Sequence, residues 1–220
     1  MTDLIENRRD FLKRASMTAL AVPFLIGCKS DIYSAAAGES DVLSLIKKNA
    51  QSRGTEGMGA IDAPANVGVK TVLSNETDKG EPVNISGIVY KADGKTPAQN
   101  TLIYLYHTDC EGYYGRKPGE HKHGRYRGWM LTDREGRYTF NTIKAVPYPE
   151  NRFAAHIHMT VTTETAREDW IDSILFEGDR LISSQERSGA GRKGGFNPIL
   201  TLRKGDGGLL YGTRNIQLMA

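Results

Sequence analysis

Cysteine is scarce in these 220 residues: only Cys28 and Cys110 are present. A disulfide framework is therefore excluded, the more so because Cys28 sits where a lipid-attachment residue is expected. Charge of one sign is lacking as well. Basic residues number 29 and acidic residues 26, a net +3, which is too mild to imply nucleic acid or a strongly anionic surface as partner. No RNA- or DNA-binding motif is present. Beyond residue 28 no apolar run approaches the roughly 20 residues that a membrane-spanning helix needs, and no internal repeat is visible. What remains is the composition of an ordinary globular domain, 39% hydrophobic, long enough for one domain with an appended segment.

The first 28 residues differ from the rest. Asn7-Arg8-Arg9-Asp10-Phe11-Leu12-Lys13 is a twin-arginine pattern in a charged leader, followed by a short apolar stretch from Ala19 to Ile26. Leu25-Ile26-Gly27-Cys28 looks like a bacterial lipobox with Cys28 as the lipidated residue. The expectation is a protein exported already folded, with residues 1–28 as signal peptide and Cys28 as membrane anchor, facing the periplasm or cell exterior. Loss of residues 1–27 removes four basic and three acidic residues and leaves a net +2. Residues 29–66 read as a tether or irregular arm, in which Asp41 to Lys48 has the pattern of a short amphipathic helix capped by Ser40.

From residue 67 to 220 the sequence reads as strands and turns. Val69–Leu73, Val83–Tyr90, Leu102–His107 and Arg137–Ile143 are β-branched or aromatic runs, and Asp93-Gly94, Glu135-Gly136 and Asp206-Gly-Gly208 supply turn chemistry. Ile199–Leu202 and Leu209–Leu218 are expected to form a closing hairpin, while Trp170–Phe176 fits a strand or a short helix. Short strands at this spacing imply an all-β, antiparallel β-sandwich domain.

One stretch carries chemistry. Read as a strand, Phe153–Val161 puts Phe153, Ala155, Ile157, Met159 and Val161 on a core face. The other face then carries Ala154, His156, His158 and Thr160, with two imidazoles side by side. Neutral histidine is a common transition-metal ligand; a pair on a half-exposed strand is the plainer alternative. Upstream, Asp109 to Arg127 is a Gly-rich loop holding Tyr113, Tyr114, His121 and His123, with Arg116, Lys117, Lys122, Arg125 and Arg127 as basic companions. His121, His123 and these cations are expected to be solvated, and Cys110 to be a small buried residue. Lys144-Ala-Val-Pro147-Tyr148-Pro149 presents a tyrosine on a stiff turn between two prolines.

Four pieces in this order resemble the intradiol ring-cleavage dioxygenases of catechol and protocatechuate type. They are Ile85-Ser-Gly-Ile-Val-Tyr90 with Asp93-Gly94, Leu105 to Tyr114, Leu131 to Ile143, and Pro147-Tyr-Pro149 with Ala155-His-Ile-His158. The resemblance implies a mononuclear Fe(III) held by Tyr114, Tyr148, His156 and His158. The offset from Gly112 selects Tyr114 over Tyr113. Anionic oxygen donors suit hard ferric iron, and a trivalent cation favours phenolate over phenol. A two-His-one-carboxylate set would suit Fe(II) instead, and no suitable carboxylate accompanies this pair. The implied reaction takes an aromatic diol and O2 as substrates. The catechol binds as a dianion in place of Tyr148, which acts as leaving ligand and base, and the ring opens between its two oxygen-bearing carbons to a muconate-type diacid. A homo-oligomer is compatible with the resemblance.

The chain departs from the family where an arginine normally stands three residues before the first histidine. Phe153 fills that slot and Arg152 precedes it. A one-residue shift reverses the face of a strand, so Arg152 joins the face of His156 only if the strand runs regularly back to residue 152. A non-catalytic sandwich module of transthyretin-like or carboxypeptidase-regulatory-like type is the alternative function. It has no need of the Tyr114, Tyr148, His156, His158 set.

Overall fold

Alternating burial along the strands builds two facing sheets. The computed structural model describes residues 41–50, 59–115 and 118–219. The twin-arginine leader, the lipobox with Cys28, Ser40, Arg116 and Lys117 lie outside the described residues. Sheet one has the order β1 (Lys70–Val72), β5 (Arg137–Ile143), β2 (Pro82–Tyr90), β10 (Leu210–Thr213), β9 (Arg203–Lys204), with β11 (Ile216–Gln217) also on β2. Sheet two has the order β4 (Arg127–Leu131), β3 (Leu102–Tyr106), β6 (His156–Thr162), β7 (Asp169–Phe176), β8 (Ile199–Leu200).

The core lies between the sheets. Val83, Ile85 and Val89 of β2 and Tyr138 and Phe140 of β5 face Ile103 and Leu105 of β3, Met130 of β4, Ile157 and Met159 of β6, and Ile174 and Phe176 of β7. All are essentially inaccessible, and burial of such side chains stabilises by roughly 1.5–3 kcal/mol each before entropy is counted. Gly87 is required in β2, because a Cβ there would overlap the Arg214 carbonyl oxygen as the chain enters β11. The fold is the expected all-β sandwich.

Several expectations are corrected in detail. The long pairings are antiparallel, but the short β1–β5, β10–β2, β11–β2 and β7–β8 pairings are parallel. Segments 199–202 and 209–218 do not form one hairpin. β8 completes sheet two beside β7, the chain then crosses to sheet one, and the hairpin is β9–β10 around the Gly205–Gly208 turn. Residues 169–176 are a strand, and β4 is one that the sequence did not announce. The histidine strand starts at His156 rather than Phe153. Its regular ladder ends there because the Ala155 N–H donates to the Asp179 carboxylate (2.8 Å) instead of to a neighbouring strand. Phe153 therefore leaves the core face and is 61% exposed.

The lead-in read as a tether is packed over its described residues. The helical stretch 41–50, here α1, buries Leu43, Ile46 and Ala50 together with Ala60 and Ala63 against Leu102, Leu131 and Trp129 on the outer face of sheet two. Glu168 clamps this segment. Its buried carboxylate accepts from the Gly59 and Ala60 N–H groups (2.9 and 3.0 Å) and from the Thr160 hydroxyl (2.6 Å). The Trp129 indole N–H donates to the Gly59 carbonyl at 2.7 Å.

His107, just after β3, is buried between the sheets. One ring nitrogen lies 2.7 Å from the Thr108 carbonyl and the other 2.7 Å from the Thr142 hydroxyl. Burial lowers its pKa from 6.5 to about 4. The unfolded chain thus binds more protons than the folded one between pH 4 and 6.5. Stability from this group is present in full above pH 6.5 and falls as pH drops to 4, by about 3 kcal/mol. Urea midpoints measured across this window should show a steeper fall for the native protein than for His107→Phe. Equal slopes would show that His107 is not the titrating group.

Candidate functional site

The outer face of sheet two is covered at one end by the N-terminal segment and at the other by two loops. The first loop leaves β3 at His107 and returns at β4. Asp109 shapes it, its carboxylate accepting from the Glu111 and Tyr113 N–H groups (2.9 and 3.0 Å) while its own N–H donates to the Tyr113 carbonyl (2.7 Å). The second loop is the Pro147-Tyr148-Pro149 turn, closed by the Asn151 N–H on the Tyr148 carbonyl at 2.9 Å. The two lean on each other: the Thr108 hydroxyl donates to the Val146 carbonyl (3.0 Å), and Gly112 (φ +85°) lies directly against the Pro147 carbonyl oxygen. Local turn chemistry in each loop thereby fixes the separation of two phenols.

Beneath them, β6 supplies its histidines. The β6–β7 register slips between Ile157 and Met159, so His158 sits at a bulge, a device that re-aims side chains near functional sites. Four donor atoms converge. The Tyr148 hydroxyl oxygen lies 2.7 Å from that of Tyr114, 3.1 Å from His156 Nε2 and 3.5 Å from His158 Nε2, and the two Nε2 atoms are 3.1 Å apart. Ligands about 2.0–2.1 Å from one ion stand about 2.8–3.4 Å from each other in right-angled or tetrahedral arrangements. The spacing suits a common ion.

The protonation states agree with that geometry. His156 Nδ1–H donates to the Ala154 carbonyl at 2.7 Å, leaving its Nε2 lone pair turned to the centre, as is usual for a metal-binding histidine. Burial, reinforced by His156 and His123, lowers the His158 pKa to about 3, which keeps it in the neutral, ligating form. Burial, and then the Tyr148 hydroxyl, push the Tyr114 phenol far above its ordinary value. A phenol so placed ionises only beside a strong cation. Among the described residues no cluster of three or more His, Cys, Asp and Glu could hold a metal; the oxygen beside both Nε2 atoms is that of Tyr148, with Tyr114 next to it.

Tyr114, Tyr148, His156 and His158 are thus brought together. Tyr113 is 45% exposed. Arg152 is not brought to the donors: the strand is not regular back to residue 152, and this side chain is exposed beside a neighbouring cleft. Cys110 is half-buried and unpaired. His123, expected to be solvated, is buried. Its ring stacks on Tyr106 (centroids 3.8 Å apart, 4° between planes), and its Nδ1 lies 2.6 Å from the Tyr104 hydroxyl. His121 is half-buried at the same loop.

The sequence reading missed the wall behind the donors. Tyr106 pairs directly across from His158 on β3 and stacks on it at 4.6 Å, so it lies between His158 and His123. Burial and the neighbouring Tyr148 push the Tyr106 phenol up to about 12, so it stays neutral. Trp170 meets His158 edge-on at 5.8 Å. The aromatic alternation Tyr104-Leu-Tyr106 was the available signal, but only the strand register reveals which ring faces the histidines.

A protein-family model described as "Dioxygenase" matches residues 60–193. Among curated proteins the chain is 29% identical over 140 residues to the protocatechuate 3,4-dioxygenase beta chain of Burkholderia cepacia, covering 59% of this chain and 58% of that one. It is 28% identical over 141 residues to catechol 1,2-dioxygenase of Acinetobacter baylyi, covering 55% and 45%. The match spans about half the length of these relatives. Among solved structures, the dioxygenase domain of a dioxygenase carbohydrate-binding protein fusion from Streptomyces sp. SirexAA-E aligns with TM-score 0.54 at 21% identity, over 76% of this chain and 96% of that one. At that identity the likeness concerns the fold alone.

Proposed function

Because the chain belongs to the intradiol ring-cleavage dioxygenase family, we propose that it opens the ring of a catechol between its two hydroxyl-bearing carbons. Both atoms of O2 enter the muconate-type product. The observation that carries this reading is the convergence of two phenols and two imidazoles within 2.7–3.5 Å, with no metal-binding group of three His, Cys, Asp or Glu among the described residues. Fe(III) is the ion such hard, anionic oxygen donors suit, and Tyr114, Tyr148, His156 and His158 would hold it. When bound, ferric iron supplies the Lewis acidity and the redox couple that make a catechol reactive toward O2.

The chain's own residues do the remaining work. His156 and His158 are oriented by the Ala154 carbonyl and by the Tyr106 and Trp170 rings. They keep their positions through turnover, as does Tyr114. Tyr148 is the donor fitted to leave. Its oxygen contacts all three other donors, yet its ring rides on a surface turn that no strand restrains. Held as a phenolate, its oxygen would accept the proton of an incoming catechol hydroxyl and withdraw as the neutral phenol.

Protein purified from iron-replete cells should be red-brown from tyrosinate-to-iron charge transfer, with about one iron per chain for a mononuclear site. Tyr148→Phe is expected to shift the visible band and to lower ring cleavage, followed as muconate absorbance, by about a hundredfold. A colourless, iron-free native protein would sink the enzyme reading. An unchanged band and rate in the variant would remove Tyr148 from the ligand set.

A further inference from the structure

The loop that carries Tyr114 goes out from His107 and comes back through His121-Lys122-His123-Gly124 to Arg127. Its two limbs touch where Tyr114 sits. A Cβ on Gly124 (φ +67°) would stand 3.1 Å from the Tyr114 Cα and carbonyl carbon and from the Gly115 nitrogen. A Cβ on Gly115 would stand 2.9 Å from the His121 carbonyl oxygen. The returning limb is thus the surface against which the Tyr114 backbone rests. Asp109 shapes only the outgoing limb, so the returning limb needs an anchor of its own.

One side chain supplies it. His123 is 6% exposed although its neighbour Lys122 is in water. Its ring stacks on Tyr106 and its Nδ1 lies 2.6 Å from the Tyr104 hydroxyl. A buried imidazole costs free energy unless its polar atoms are paired, and the short bond to Tyr104 provides the partner. Tyr104 and Tyr106 are alternate residues of β3 and share the outer face of sheet two. Neither ring has room to move. Tyr104 packs on Gly59, where a Cβ would come within 2.5 Å of the ring. Tyr106 is wedged between the His123 and His158 rings and meets the Tyr114 ring at 5.6 Å. The limb is also closed on itself: His121 Nδ1 accepts from the His123 N–H (3.1 Å), and the His121 carbonyl accepts from the Gly124 N–H (2.7 Å). A fixed His123 ring therefore fixes the residues that touch Tyr114.

We propose that His123 is a positioning residue for the donor set. It pins the returning limb to β3, and the pinned limb holds the Tyr114 phenol at its 2.7 Å separation from Tyr148. Through Tyr106 the same ring backs His158. This assignment rests on the reading of the donor set as a ferric site.

The test titrates the iron-stripped native protein and its variants with ferric citrate, read by the tyrosinate charge-transfer band, with melting of the chelated proteins in parallel. Loss of an outer partner of a metal ligand costs about 10–100-fold in metal affinity, and His123→Ala is expected to lose that much and to shift the band. His123→Phe keeps a ring on Tyr106 but loses the bond, and Tyr104→Phe removes the same bond from the other side. These two should weaken iron binding equally, and the double variant no further. His123→Asn, whose amide can reach the place of Nδ1, should recover most of the affinity. Variants that melt earlier when chelated, yet bind iron with native affinity and band, would make His123 a packing residue and overturn the proposal. Native affinity in Tyr104→Phe beside a weakened His123→Phe would overturn it too, because the bond would then not be what holds the limb. A native protein that takes up no iron and shows no band would overturn the ferric reading of the site and this inference with it.

Discussion

Alanine in place of His158 is expected to strip the protein of iron, bleach its visible colour and abolish measurable ring cleavage, while the sandwich itself stays folded. Loss of a mere outer partner of a metal ligand costs about 10–100-fold in affinity or activity, so loss of a ligand should cost more than about a hundredfold. The effect on the metal-free fold should be far smaller. His158 lies on the outer face, half-buried, and contributes nothing to the core between the sheets. Its removal forfeits ring contacts with Tyr106 and Trp170 at 4.6 and 5.8 Å, worth about 0.5–1.5 kcal/mol each at most. The native protein with iron gains stability by mass action on the folded state, and the variant loses that increment. Melting both proteins with and without iron separates the two effects. The difference should be large with iron and small after chelation. A variant that kept iron and colour would show that His158 is not a ligand, and one that failed to fold without iron would show that it is a packing residue.

The same strand shows how far the sequence was legible. Ile157, Met159 and Val161 are core residues because strict alternation with polar neighbours survives in the fold. Extending that alternation back to Phe153 failed for a reason the sequence does not display. Asp179, 24 positions away, takes the Ala155 N–H and ends the ladder. β2 and β5 were legible for the same reason as β6, apolar residues recurring at every second position, and β3 as an unbroken apolar and aromatic run between turn signals. β4 was not, since Arg-Gly-Trp-Met-Leu holds no β-branched residue and follows directly on the Gly-rich loop, although its burial alternates over Arg127–Met130. The Ser-, Gly- and Ala-rich lead-in looked like a tether because its composition is that of a spacer. A few well-placed residues, Leu43, Ile46, Ala60 and Ala63, are enough to dock it on sheet two. In the site, the residue types were legible and the surroundings were not. Tyr114, Tyr148, His156 and His158 stand out by chemistry and order. The sandwiching of Tyr106 between His158 and His123 depends on strand register and loop closure, which no local pattern encodes.

Gly112→Ala is expected to damage the metal site strongly, although Gly112 supplies no donor atom. At φ +85° an alanine costs about 1–2 kcal/mol of backbone strain. The larger effect is steric: the added Cβ would overlap the Pro147 carbonyl oxygen and lie 3.2 Å from Pro149 Cδ, both on the turn that carries Tyr148. The loops must separate, and the 2.7 Å between the Tyr114 and Tyr148 hydroxyls is the distance that opens. A displacement of about 1 Å at a reacting centre can cost about a hundredfold in rate. Gly119 in the same loop provides the control. Its φ is +88°, so alanine there meets the same backbone strain, but among the described residues nothing lies within 4 Å of the added Cβ. Gly119→Ala should therefore lose about the same small increment of stability and retain iron, colour and turnover. Gly112→Ala should lose iron affinity and about a hundredfold in turnover, while the melting temperature of the chelated protein falls by only a few degrees. Equal losses in the two variants would mean that loop strain, rather than the contact between Gly112 and the Pro147 turn, sets the spacing of the two phenols.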